Sequence, residues 1–200
     1  MKVLGILGSP RRGGNTEILL KAFLEGAAAG GAEVEEIRLR EMKISPCLEI
    51  YHCFKDGTCP IKDDMPVLYD KLLAADVVVL ASPIFFYNVS AQAKAMIDRT
   101  QALWSRRYVL KQDLPGHRQG VLLAVGATKG RLLFVGTRLT AKYFFDALNV
   151  SYAAEILVRG ADEKGAILEQ PETLERARDL GRRLAQGERF GPIKLDPLAV

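Results

Sequence analysis

The stretch GSPRRGGNT at residues 8–16 follows the apolar run KVLGIL. A loop this rich in glycine is costly to order, because glycine loses more backbone freedom on folding than any other residue. Holding an anion offsets that cost. Where such a loop opens a helix, several N–H groups lack intrahelical partners and the helix dipole favours negative charge. Gly13 and Gly14 allow close backbone approach, Ser9, Asn15 and Thr16 bring side-chain donors, and Arg11 or Arg12 adds a charge-assisted contact. A terminal phosphate monoester fits that set. The P-loop pattern requires a lysine after its last glycine, whereas Asn15 and Thr16 follow Gly14 here. The dinucleotide fingerprint Gly-x-Gly-x-x-Gly does not match the spacing of Gly5, Gly8 and Gly13. The plain alternative is a solvated turn.

A second stretch, SPIFFYNVS at 82–90, sets Pro83, Ile84, Phe85, Phe86, Tyr87 and Asn88 in a row after another apolar run. Loops at strand ends are normally polar. An apolar, aromatic loop points to a flat ligand, a partner surface or core packing. Beside a phosphate loop the planar ring is favoured, with loop N–H groups at its polar edge and side chains over its face. A third loop, running from Gly126 through Thr128, Lys129 and Gly130, is placed to supply donors on the far side of that ring.

Three cysteines, Cys47, Cys53 and Cys59, fall in one short stretch. An odd number so tightly grouped is not a disulfide framework. In a reducing compartment it reads as a metal site, a redox role or the remnant of one.

These loops need elements to hold them. Unbroken apolar runs at 2–8, 76–83 and 118–127 read as strands buried on both faces. Residues 32–40 alternate like an edge strand, and 150–160 form a fifth strand. Helix-period patterns cover 16–30, 65–76, 89–104 with Ser90 as N-cap, 131–148 and 170–186. Five strands alternating with five helices imply a parallel sheet joined by right-handed crossovers. The polar alternation of 32–40 places it at an edge, which gives a flavodoxin-like α/β three-layer sandwich of strand order 2-1-3-4-5. Ligands of such sheets bind at the carboxyl ends of strands 1 and 3, where the first two loops lie. The expected organisation is one domain over 1–200, with a cysteine loop at 43–65 and an extended tail at 187–200 that wraps the surface or a partner chain.

Composition excludes several classes. With 48% hydrophobic and 26% charged residues the chain is an ordinary globular one. No apolar run reaches membrane-spanning length, and the short N-terminal run reads as a strand rather than a signal peptide. The net charge of +4 is dispersed, and its basic clusters lack the interleaved aromatics of a nucleic-acid platform. A cytoplasmic protein is expected, with neither membrane nor nucleic acid as partner.

Taken together, GSPRRGGNT, CPIKDDM (59–65), ASPIFFYNVSAQAKAMIDR (81–99) and PETLERARDLGRRL (171–184) resemble the NAD(P)H-dependent FMN reductases of flavodoxin-like fold, in their iron–sulfur-flavoprotein-like branch. The resemblance implies non-covalent FMN, with Ser9, Arg11, Asn15 and Thr16 on its phosphate and Pro83 to Asn88 along its ring. It also implies a homodimer or homotetramer with flavin sites near the interface. The branch's cysteine pattern resembles C-x2-C-x2-C-x5-C, which falls on Cys47, Ile50, Cys53 and Cys59. Ile50 cannot ligate, so a [4Fe-4S] cluster held by four thiolates is not expected. A three-thiolate cluster with an outside ligand stays open, zinc suits the spacing poorly, and His52 is a poor substitute. The leading expectation is a vestigial loop in which Ile50 packs as a hydrophobe and the thiols stay reduced.

The leading functional expectation is a hydride passed from NAD(P)H to FMN, then electrons passed to a small acceptor such as a flavin or quinone. No side chain need act as an acid or base, since the flavin N5 carries the chemistry. An electron carrier serving protein partners is the second reading, which the basic balance disfavours. A non-redox nucleotide-binding module is the third.

Overall fold

In the computed structural model, which describes residues 1–195, five strands form one parallel sheet: β1 (Lys2–Leu7), β2 (Glu33–Arg38), β3 (Val77–Pro83), β4 (Arg118–Val125) and β5 (Val150–Val158). Their order is β2-β1-β3-β4-β5, as the polar alternation of β2 requires. The helices are α1 (Asn15–Ala29), α2 (Cys53–Asp56), α3 (Met65–Ala74), α4 (Ala91–Arg99), α5 (Gln101–Tyr108), α6 (Val135–Ala147) and α7 (Pro171–Ala185). Alternate residues of each central strand feed two cores. Leu4, Ile6, Val78, Leu80 and Leu122 face α3 to α6, while Val3, Leu7, Val77, Val79 and Val121 face α1 and α7. No helix among the described residues is long and apolar enough to cross a membrane.

On the second face α1 and α7 touch backbone to backbone. A Cβ on Gly26 would lie 1.9 Å from the Arg178 carbonyl oxygen, and one on Gly181 would lie 2.1 Å from that of Phe23. Neither position can carry a side chain without separating the helices.

Two expectations change. The single helix over 89–104 is broken at Thr100, whose N–H and hydroxyl both donate to the Ile97 carbonyl, at 2.9 and 2.6 Å. This local bond competes with helical pairing, so α4 ends at Arg99 and α5 starts at Gln101. The cysteine loop contains the short α2, which carries no long periodic signal. Ser90 is the N-cap of α4, accepting from Ala93 N at 3.2 Å. Beyond α7, the side chain of Gln119 holds the chain from both sides, donating to Glu188 O at 2.9 Å and accepting from Phe190 N at 2.8 Å. Ile193 N then donates to Tyr152 O at 2.8 Å, and Ile193 and Leu195 pack on the core. The last part of the expected tail, 196–200, lies outside the described residues.

Candidate functional site

A cleft of about 230 Å³ opens at the carboxyl ends of β1 and β3. Ser9, Arg11, Gly14, Asn15 and Thr16 line one side, Pro83, Ile84 and Phe85 the other, and Val125, Ala127, Ala161 and Asp162 close it. One buried serine ties the two principal loops together. The Ser90 hydroxyl donates to Gly8 O at 2.5 Å, and Ser90 N donates to the Ser82 hydroxyl at 3.0 Å.

The first loop turns at Gly13, whose φ of +64° favours glycine. Its N–H donates to the Glu17 carboxylate at 2.9 Å. Glu17 is buried and also meets Arg40 at 3.1 Å and Lys21 at 3.4 Å. Burial works against its charge, but the Gly13 N–H, Arg40 and Lys21 outweigh burial and hold the carboxyl below its usual range. Thr16 is 3% exposed. It lines the cleft beside the first N–H groups of α1. Ser9 is locally engaged with Arg11 backbone, at 3.3 and 3.4 Å.

Asn15 differs from expectation. Its amide donates to Ala161 O at 3.1 Å and Glu163 O at 2.8 Å, and its oxygen accepts from Gly165 N at 2.9 Å and Ile167 N at 3.3 Å. That side chain has no hydrogen-bonding capacity left for a ligand. It docks the loop after β5 onto the first loop. Arg11 adds to the seam by donating to Asp162 O at 3.1 Å.

The second loop is a tight two-residue turn. Phe85 N donates to Asn88 O at 2.9 Å and Asn88 N to Phe85 O at 3.1 Å. Phe86 and Tyr87 at its tip have φ of +48° and +63°, costly for aromatic residues. The turn is pinned to α6: Asn88 accepts from the Thr140 hydroxyl at 3.0 Å, and a Cβ on Gly136 would lie 2.6 Å from Tyr87 O. Pro83, Ile84 and Phe85 therefore line the cleft, while the Phe86 side chain stands wholly in solvent. Tyr87 leans toward Gly130, and Asn88 is an anchor. Ile84 N is also used, donating to Val125 O at 2.8 Å. Fewer N–H groups face the cleft than the sequence reading assumes.

Gly126 and Thr128 are not cleft-lining residues either. Gly126 pairs through N–H and carbonyl with Val158 and Ala161, at 2.8 and 3.2 Å, and its missing side chain makes room for Leu133. Thr128 O accepts from Gly160 N at 3.4 Å. Ala127 lines the wall in their place. Ala161, Asp162 and Glu17 were not identified from the sequence. The rule that ligands bind at strand carboxyl ends applies equally to the loop after β5 and is the signal that points there.

A sequence model of the NADPH-dependent FMN reductases matches residues 1–149. The chain belongs to that family. Among its relatives, an iron–sulfur flavoprotein of Methanocaldococcus jannaschii is 43% identical over 103 residues, covering 52% of this chain and 53% of that protein. The iron–sulfur flavoprotein of Methanosarcina thermophila is 36% identical over 129 residues, covering 64% of this chain and 65% of the relative. The match thus spans about half to two thirds of the length of these relatives. A putative NAD(P)H-dependent FMN-containing oxidoreductase of Bacillus subtilis is 27% identical over 184 residues, covering 92% of this chain and 98% of that protein. In fold, the chain is similar to an NAD(P)H:quinone oxidoreductase from Methanothermobacter marburgensis, with a TM-score of 0.72, 20% identity, and coverage of 92% and 96%.

FMN is the cofactor of this reductase family, and the cleft fits it. The Thr16 hydroxyl in the cleft lining and the start of α1 suit a phosphate, and the Pro83–Phe85 wall suits a ring. A four-iron cluster is a different matter. Cys47, Cys53 and Cys59 line one cavity of about 440 Å³, together with Ile50, His52 and Asp98. Among the described residues, no three His, Cys, Asp or Glu side chains are arranged to hold a metal ion. Burial pushes the Cys53 thiol up, away from the thiolate a metal takes. His52 is paired with Asp56 at 3.2 Å. The donor set therefore does not fit a four-thiolate cluster. Ile50 does not pack as expected: it is 53% exposed, flanked by Glu49 and Tyr51 at φ of +51° and +58°. The loop tip stands off the core, with Leu48 and Tyr51 beside it also exposed.

The base of that loop is closed by a pair the sequence did not flag. Arg99 and Asp63 meet at 2.5 Å with side chains 1% and 4% exposed. Arg99 also donates to Ser45 O at 2.9 Å, and Asp63 accepts from Ser45 N at 2.9 Å and Met65 N at 3.0 Å.

Proposed function

We propose that this reductase moves a hydride from NAD(P)H to FMN held in the cleft, and then electrons to a small acceptor such as a free flavin or a quinone. One observation carries the reading: a single cleft joins the glycine-rich start of α1 to the apolar Pro83–Phe85 wall. Bound FMN supplies the hydride-accepting and electron-donating chemistry, while the protein binds and orients. The N–H groups of Gly14, Asn15 and Thr16, the Thr16 hydroxyl and the Arg11 guanidinium would hold the phosphate, and Pro83, Ile84 and Phe85 would keep water from one face of the ring. In this reading the face of the ring away from Pro83–Phe85 is the one that would meet a nicotinamide. No histidine lines it, and no side chain is assigned a proton-transfer role.

The same reading includes a homodimer or homotetramer, supported by the strained and fully exposed Phe86 at the cleft rim. It places the enzyme in the cytoplasm, a reducing compartment in keeping with three free cysteines. The test is a visible spectrum of FMN-reconstituted protein, recorded anaerobically before and after NADPH or NADH. Flavin bands that bleach with either nucleotide are expected. Bands that ignore both would shift the reading to an electron carrier, and no retained flavin would sink it.

A further inference from the structure

The loop between β5 and α7 is fused to the glycine-rich loop although they are distant in sequence. Asn15, itself 6% exposed, holds it through four hydrogen bonds, and Arg11 through a fifth. This docking lays Lys164 across Gly13. A Cβ at Gly13 would lie 3.3 Å from Lys164 Cε and 3.5 Å from its Nζ. Lys164 is exposed and forms no ion pair among the described residues. Its ammonium thus stands free over the loop that turns into the start of α1.

The local charge makes such a cation useful. Glu17 brings a buried negative charge to the loop, and Asp162 lines the cleft. Arg40 and Lys21 answer Glu17. Arg11, half engaged by the Asp162 carbonyl, is the cation that lines the cleft. A phosphate monoester carries close to two negative charges near neutral pH.

We propose that Lys164 is a second cation for the phosphate monoester seated at residues 9–16, and that Asn15 serves that seat by positioning the Lys164 loop. This rests on reading residues 9–16 as the FMN phosphate seat. Gly13 is required for its positive φ, and its missing side chain leaves the Lys164 methylene and ammonium in contact range of the loop backbone.

The phosphate has two sources, the FMN phosphate and the 2′-phosphate of NADPH, and the proposal takes the first. The test titrates flavin-free full-length protein with FMN and with riboflavin, which lacks the phosphate, following flavin fluorescence. Wild type should prefer FMN, and the preference should fall with added salt. Lys164→Gln should cut that preference about tenfold while riboflavin affinity stays within about twofold; Lys164→Arg should keep most of it. An unchanged FMN-to-riboflavin ratio in Lys164→Gln overturns the proposal while leaving the phosphate seat intact. A ratio unchanged but a KM raised for NADPH alone assigns the cation to the coenzyme, and overturns it too. Equal binding of FMN and riboflavin by wild type removes the phosphate seat itself.

Discussion

At the cleft proposed for FMN, loops after β1, β3, β4 and β5 are cross-tied by many modest bonds: Ser90 to Gly8, Gly126 to Val158 and Ala161, and Asn15 to the 161–167 segment. At the cysteine cavity, one buried ion pair closes the loop base, while the tip bearing Leu48, Ile50 and Tyr51 stands more than half exposed. A cross-tied site couples its residues, so a change at Asn15 reaches the whole β5–α7 loop. The cysteine loop is also tied through α2 to α5, where the Ser105 hydroxyl donates to Cys53 O at 2.7 Å and Arg106 to Gly57 O at 2.8 Å, and the exposed 48–51 tip between these ties is free to vary. A ligand position there can change from thiol to isoleucine without disturbing the core.

The largest expected effect tests that freedom at the tip. Ile50→Cys brings a fourth thiol to the cavity that Cys47, Cys53 and Cys59 already line. After anaerobic reconstitution with iron and sulfide it should hold about four irons per chain, and wild type a small fraction of that. Equal iron content in the two proteins would show that position 50 is not what separates this chain from the cluster-bearing pattern.

Breaking the base comes next. Arg99→Met leaves the Asp63 carboxylate buried and unpaired, which should cost about 3–5 kcal/mol in urea unfolding. FMN affinity of the folded protein should stay within about twofold, because the cleft does not share those bonds. A parallel loss of flavin affinity would mean that the two regions are one cooperative unit.

The smallest effect sharpens the comparison through pH. Glu17 has a folded-state pKa below its unfolded one, so its contribution is full above the usual glutamate range, near 4.5, and is lost as pH falls through the folded value. Asp63, held low by Arg99 and the Ser45 N–H against its burial, behaves likewise from a starting value of 3.8. Glu17→Gln should cost about 1–2 kcal/mol at pH 7 and flatten the acid limb of stability. An acid limb identical to wild type would take Glu17 out of that limb and leave it to the other carboxylates held low, Asp63 among them.

Much of the fold was legible because its signals are local. Apolar runs marked β1, β3 and β4 as central strands, and the charged alternation of 32–40 marked β2 as an edge. The break at Thr100 was not legible, since a side chain bonding back three residues leaves the hydrophobic period unchanged. Half of the expected ring loop lines the cleft. Phe86 does not, because pinning the turn to α6 through Asn88 and Gly136 throws its tip outward. The roles of Asn15 and Arg99 were hidden for a common reason: each meets partners far away in the chain.

Residue chemistry alone placed the sheet order and the two loops that meet at its switch point, because periodicity, glycine content and aromatic clustering are carried by neighbouring residues, while the family came from the resemblance of whole motifs. It also showed that Ile50 cannot be a ligand. Packing settled which donors remain free for a ligand. Asn15 closes on atoms 146 to 152 residues away and Arg99 on atoms 36 and 54 residues away. A donor's availability depends on what the folded chain brings to it, and spacing along the chain does not encode that.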